Sequence, residues 1–335
     1  MTNQIRFAAI FLLVIFCLEG CRAQPSKQGQ ELSLVTSIAL PGVAGRIDHL
    51  SFDSSTQRLF IAALGNNTVE VVDLKTNKVI HSITGLSEPQ GIAFIPDENK
   101  LVVANGGNGA CDVFNAATYQ KISSLQLAGD ADNVRYDVVN KKIYVGYGEG
   151  GIAIIDAATM KQEADVKLQG HPESFQLDMA TRRLYVNVPD KQQVEILDLN
   201  KLTVIERWKI KDARANFPMS LDAVNHRLFI GCRHPAKLWV LDTETGEPVA
   251  SAAIDGDTDD IFYNRTDSSI YISCGAGYLD IIKHLGGNQY KQTGQLTTRS
   301  GARTSLFIPQ INRLVIASPK SMGRDAEILV YEVKK

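Results

Sequence analysis

The chain has 335 residues, 44% hydrophobic and 21% charged, with a formal net charge of -2. This is the composition of a folded globular protein with a sizeable core, and it excludes a long disordered block. A balance so close to neutral also excludes general nucleic-acid binding, whose affinity comes from neutralising many phosphates.

At the start, Arg6 precedes the apolar run Phe7 to Leu18. This has the layout of a secretory signal over residues 1–20 and is too short to span a bilayer. Export to the periplasm or cell surface of a bacterium is the expectation. Leu18-Glu19-Gly20-Cys21 has the form of a lipobox, in which Cys21 is lipidated and becomes the new N-terminus, although Glu19 stands where a small or apolar residue is usual. Cleavage after Ala23 and free secretion is the alternative. A lipid on Cys21 would be the only membrane attachment. Residues 21–32 read as a flexible tether. Beyond the signal, Cys111, Cys232 and Cys274 allow at most one disulfide, and no C-x-x-C or C-x-x-C-H occurs.

Residues 33–40 form a strand-like run with no immediate partner. The stretch from Gly45 to Leu74 then reads as three strands, Ile47 to Asp53, Arg58 to Ala63 and Thr68 to Leu74, separated by polar turns. Later copies repeat its second strand, which begins at Leu59, Leu101, Ile143, Leu184, Leu228, Ile270 and Leu314, with spacings of 42, 42, 41, 44, 42 and 44. Seven marks at so even a period predict an all-β, seven-bladed β-propeller of four-stranded blades, a single domain over residues 33–335. The last unit, Arg303 to Phe307, Arg313 to Ser318 and Glu327 to Val333, stops after three strands. Residues 33–40 are expected to supply its missing outer strand and close the ring.

Asp73, Asn115, Asp156, Asp198 and Asp242 end the third strands, where Asx side chains cap the turn into the outer strand. They are read as structural. Blade six lacks this residue in LDIIKHLGGNQYKQ, so a different outer hairpin is expected there. With LYVN at Leu184 to Asn187 and the recurring V-x-x-x-D-x-x-T-x-x-V pattern, the chain resembles the YVTN-repeat, YncE-like exported bacterial propellers over residues 33–333. The resemblance implies a seven-bladed ring outside the cytoplasm and little about chemistry.

In a propeller, the starts of the innermost strands and the loops between second and third strands share one face, around the channel mouth. Counting back eleven residues from each mark gives Asp48, Gln90, Asp132, Glu173, Phe217, Asp259 and Arg303. Ten gives His49, Gly91, Asn133, Ser174, Pro218, Asp260 and Thr304, and thirteen adds Arg46, Glu88, Asp130, His171 and Asp257. Arg135 and Arg214 lie near the same register, and the loops add Arg233 with Asn66, Asn67, Asn105, Asn108 and Asn187, among others. Packing does not require polar residues at these places. The candidate ligand-binding set is therefore Arg46, Asp48, His49, Gln90, Asp132, Asn133, Arg135, His171, Glu173, Arg214, Arg233, Asp259 and Arg303, in which arginine forks grip an anion. The competing reading is a water-filled channel of mutually satisfied ion pairs.

No cofactor is predicted. A divalent metal, if bound, would be held by His49, Asp132, His171 and Glu173. Cys232, in Gly231 to Lys237, could be a thiolate beside Arg233 and His234, but its register, shared with Cys274 at the end of a core strand, favours packing. Gly146-x-Gly148-x-x-Gly151 precedes a strand and reads as a hairpin turn, not a dinucleotide site. DGDTDD at Asp255 to Asp260 lacks the Gly and the Glu of a calcium loop. Two functions follow: an exported propeller that binds a small anionic or hydroxylated ligand or a protein partner, or a lactonase-like hydrolase or lyase using His and carboxylate groups at the same mouth.

Overall fold

The computed structural model describes residues 32–334. The signal, the lipobox with Cys21 and residues 21–31 of the tether lie outside the described residues. No helix among the described residues is long and apolar enough to cross a membrane.

Seven four-stranded antiparallel sheets form the molecule. The first strands are Leu50–Asp53, Pro89–Ile95, Ala131–Asp137, Phe175–Asp178, Arg214–Asp222, Thr258–Asn264 and Thr304–Ile308. Each touches the first strand of the next blade, and Thr304–Ile308 touches Leu50–Asp53, so these strands form a closed inner ring. The seven register marks all fall on the second residue of a second strand, and all seven are fully buried. The constant period thus records one repeated burial event, an aliphatic side chain wedged between neighbouring blades.

Closure is as expected. Leu32–Leu40 pairs antiparallel with Ala326–Val333, from Leu32 opposite Val333 to Leu40 opposite Ala326, with a bulge between Leu34 and Thr36. The strand starts one residue earlier than expected, because Leu32 is itself fully buried.

The turn residues behave as caps. Asp73 Oδ1 accepts the Lys75 N–H at 2.7 Å, Asp198 Oδ1 that of Asn200 at 2.8 Å, and Asp242 Oδ1 that of Glu244 at 3.0 Å. Asn115 and Asp156 do the same for their turns. A second set escaped the sequence reading: Asp53, Asp137 and Asp178 cap the hairpin between first and second strands. In blade six the outer hairpin does differ. Gly286 and Gly287 both adopt positive φ in a loop between Tyr278–His284 and a long outer strand, Tyr290–Thr297.

Candidate functional site

The chain enters the channel mouth through backbone conformations that L residues rarely adopt. Thirteen residues before their marks, Glu88, Asp130, Ala215 and Asp257 have positive φ, as does Gly301. Each such non-glycine residue costs about 1 kcal/mol. Immediately after, the ladders are interrupted: register shifts fall between Pro89 and Ile92, Ala131 and Val134, Asn216 and Met219, and Thr258 and Asp260. Such irregularities aim side chains that a regular ladder would hold against the next strand. At Gly91 a side chain is excluded altogether, because a Cβ there would lie 1.9 Å from the carbonyl oxygen of Asp132.

The outcome is a cavity of about 180 Å³ lined by Arg46, Asp48, His49, Gln90, Asp130, Asp132, Asn133, His171, Glu173, Ser174, Phe217, Arg233, Asp259 and Arg303. All seven residues counted back eleven from the marks are among them, one from each blade. Two residues of the candidate set lie elsewhere. Arg214 is exposed and pairs in register with His234 in a prolonged hairpin of blade five. Arg135 lines a second cavity of about 420 Å³ that contains the apolar side chains Phe52, Phe94, Phe262 and Phe307. Its guanidinium sits 5.6 Å from the Phe175 ring centre and donates to the Val134 carbonyl at 2.9 Å. His49 and Ser174 line both spaces.

The ion pairs gather round the arginines and round the histidines of the mouth, and Asp48 is shared between the two groups. Among the arginines, Arg233 donates to Asp259 at 2.6 Å and to the Thr258 carbonyl at 2.9 Å, and lies 4.1 Å from the Phe217 ring centre. Asp257 lies 3.0 Å from Arg303 and 3.5 Å from Arg233, and Arg46 pairs with Asp48. Round the histidines the carboxylates outnumber their cations. Asp132 stands between two imidazoles, 3.9 Å from His49 Nε2 and 3.9 Å from His171 Nε2. His49 also faces Asp48 at 3.7 Å and Asp260 at 3.9 Å. Gln90 donates to Asp130 at 2.9 Å.

Protonation follows from this crowding. Burial pushes Asp259 up to about 6 despite Arg233, and Asp260 up to about 7 despite His49 and the Ser305 N–H. Burial and the neighbouring Asp132 hold the Glu173 carboxyl well above the usual carboxylate range. Burial opposes charge on both histidines, but the surrounding carboxylates win, and His171 rises to about 9. Arg135 is lowered by burial.

Several buried atoms at the mouth make no hydrogen bond: Asp132 Oδ1, Asn133 Oδ1 and the Nε of Arg303. Asp132, His171 and Glu173 each present a ligand atom within 4.8 Å of the others. His49, the fourth residue of the expected metal set, stands apart on the other oxygen of Asp132.

The loop asparagines mostly serve the scaffold. Asn67 accepts the Glu88 N–H at 2.7 Å, and Asn187 donates to the Phe217 carbonyl at 3.0 Å, each linking adjacent blades. Cys111, Cys232 and Cys274 are free and buried, and burial pushes the Cys232 thiol up to about 12, which rules against a thiolate there. The count back from the marks reached Phe217 but not its place under Arg233, and the Gly148 carbonyl, which takes a hydrogen bond from His171 Nδ1 at 2.6 Å, left no mark in the sequence.

No protein-family model matches the chain, and no curated protein matches it. Solved structures do. A chain of hydrazine synthase from Kuenenia stuttgartiensis superposes with a TM-score of 0.77 at 14% identity, covering 88% of this chain and 99% of that one. A chain of a mitotic checkpoint complex superposes with a TM-score of 0.76 at 14% identity, covering 97% and 99%. At this identity the likeness is one of fold alone. The chain is a seven-bladed β-propeller.

Proposed function

We propose that the protein is an exported propeller of the YVTN-repeat, YncE-like kind that binds a small anionic or hydroxylated ligand at the channel mouth. The observation that carries this reading is a polar cavity built from every blade in which buried donors and acceptors lack partners. An unsatisfied buried polar atom costs about 1–3 kcal/mol, and a ligand that pairs with Asn133, Asp132 and Arg303 at once recovers that cost. The volume limits the ligand. At about 180 Å³ the space is smaller than the ~300–1,000 Å³ of ordinary small-molecule sites, so a short hydroxy acid or a phosphate suits it better than a nucleotide. Arg233 and Arg303 can exchange part of their contact with Asp257 for a ligand carboxylate. Export rests on the run Phe7 to Leu18 and the lipobox at Cys21.

Mass spectrometry of protein purified from its own cell tests both points, reading a retained small molecule and the mass of the mature N-terminus. Calorimetry with inorganic phosphate and short hydroxy acids should then show binding that Arg303→Ala weakens about tenfold, as expected for losing one charge-assisted hydrogen bond. Absence of binding across that series, with nothing retained from the cell, would overturn the reading. A second reading, hydrolase or lyase, is favoured by the closeness of His171 to two carboxylates, one of which burial and Asp132 hold well above the usual carboxylate range. Turnover of a lactone or ester that Asp132→Ala abolishes would replace binding with catalysis.

A further inference from the structure

The geometry points to a divalent transition-metal ion held by His171 Nε2, Asp132 and Glu173 on the carboxylate-rich side of the mouth. This inference rests on the mouth being a binding site and names an occupant for one part of it.

The first support is the orientation of His171. Its Nδ1 lies 2.6 Å from the Gly148 carbonyl oxygen, which can only accept, so Nδ1 must be the donor. In the neutral ring Nε2 then carries the lone pair, and this atom faces Asp132 Oδ2, whereas Asp130 Oδ2 lies 3.8 Å from the anchored Nδ1. A ligating histidine anchored through its other nitrogen to a backbone carbonyl is the usual arrangement at a metal centre, because it fixes both tautomer and ring angle.

The second support is Asp132. It is only 5% exposed; its Oδ1 makes no hydrogen bond and stands 3.9 Å from His49 Nε2, and its Oδ2 stands 3.9 Å from His171 Nε2. That gap is too long for a hydrogen bond. It is short enough for both atoms to reach one ion at about 2.0–2.2 Å. Asn133 Oδ1, buried and also without a partner, opens on the same cavity.

The donor set selects the ion. An imidazole excludes a hard all-oxygen site for calcium or magnesium, and two carboxylates are poor company for copper(I), which leaves the divalent first-row ions from manganese to zinc. Three protein ligands leave coordination positions facing the cavity, where a hydroxy acid held by Arg233 and Arg303 could also reach the ion. The arginines and the ion then grip different groups of one ligand.

The test is a titration of chelator-stripped protein with Mn²⁺, followed by electron paramagnetic resonance and without any hydroxy acid present. We expect one Mn²⁺ per chain, displaced by Zn²⁺, with nitrogen hyperfine coupling from one imidazole. His171→Ala should remove the coupling, and His171→Ala and Glu173→Gln should each weaken binding about tenfold or more, with the β-sheet circular dichroism of the stripped protein retained. No stoichiometric Mn²⁺, or bound Mn²⁺ without nitrogen coupling in the unaltered protein, would overturn the inference whether or not the variants fold. Hydroxy-acid binding measured in chelator separates the two readings: it persists if only the metal reading fails.

Discussion

At the scale of single residues, the mouth and the turns place opposite demands on protons. Asp259 and Asp260 titrate above the ordinary carboxylate range, at about 6 and about 7. An acid whose folded pKa is raised destabilises the fold when ionised, so acidification from neutrality should stabilise the protein until both are protonated. Asp260 is faced by His49, Asp259 and Asp48, and Asp259 by Arg233, Asp48, Arg46 and His49, so neither titrates as an isolated group. The capping aspartates go the other way. Asp53 and Asp137 lie below the usual value even against the cost of burial, because backbone and side-chain donors hold their charged forms. Asp156 falls to about 2, chiefly through the Thr159 N–H and Lys142. Their stabilising effect is complete above about pH 4, the unfolded value, and is lost as pH falls through the folded values. Thermal midpoints of chelator-stripped protein should therefore rise from pH 8 toward about pH 5 and collapse below about pH 4. A midpoint that falls steadily from pH 8 would contradict this assignment of protons.

At the scale of the strand and hairpin, the two kinds of Asx turn differ in what they hold. Asp137 is buried, caps the Val139 and Asn140 amides, and receives Arg182 at 3.1 Å. Replacing it by Ala removes charge-assisted bonds and leaves Arg182 without its partner, so a loss of about 2 kcal/mol is expected. Asp198→Ala, on an exposed outer turn, should cost visibly less in the same denaturant titration; equal losses would mean that the caps act only locally. The sequence displayed the outer caps because each followed a run of alternating apolar residues. Asp137 is legible in another way, since like Asp53 and Asp178 it stands six residues before its mark, where every first strand ends. The same counting governs the site. Asp48, Asp132 and Glu173 could be found by counting, since each blade brings its eleventh residue before the mark to the mouth. Arg135 and Arg214 were drawn in by nearness in sequence. Arg135 lies three residues beyond Asp132, a position that lines the second cavity, and the long hairpin of blade five carried Arg214 to the surface.

At the scale of the whole molecule, the even period is a statement about packing. Seven equivalent wedges, from Leu59 to Leu314, fix the angle between blades, and that angle fixes how many blades close a circle. A ring has no single large core; each interface has its own cluster, and the interface holding Ile38, Leu40, Ile61 and Ile328 joins the beginning of the chain to its end. The mouth belongs to no one blade. It exists only when all seven are in place, which makes binding there a test of closure as well as of chemistry.

The pairing of Leu32–Leu40 with Ala326–Val333 has a further consequence for assembly between chains. Before it forms, the last blade is a three-stranded sheet with an open edge, and the strand that fits it dangles from the opposite end of the polypeptide. Nothing in the eight paired positions distinguishes that strand from its counterpart on another copy, and both would bury Leu32, Ile38 and Leu40 equally well. Refolding at high concentration should therefore yield strand-exchanged dimers that dilution alone does not dissociate, separable by size-exclusion chromatography. Exclusively monomeric refolding at every concentration would mean that the ring closes faster than chains meet.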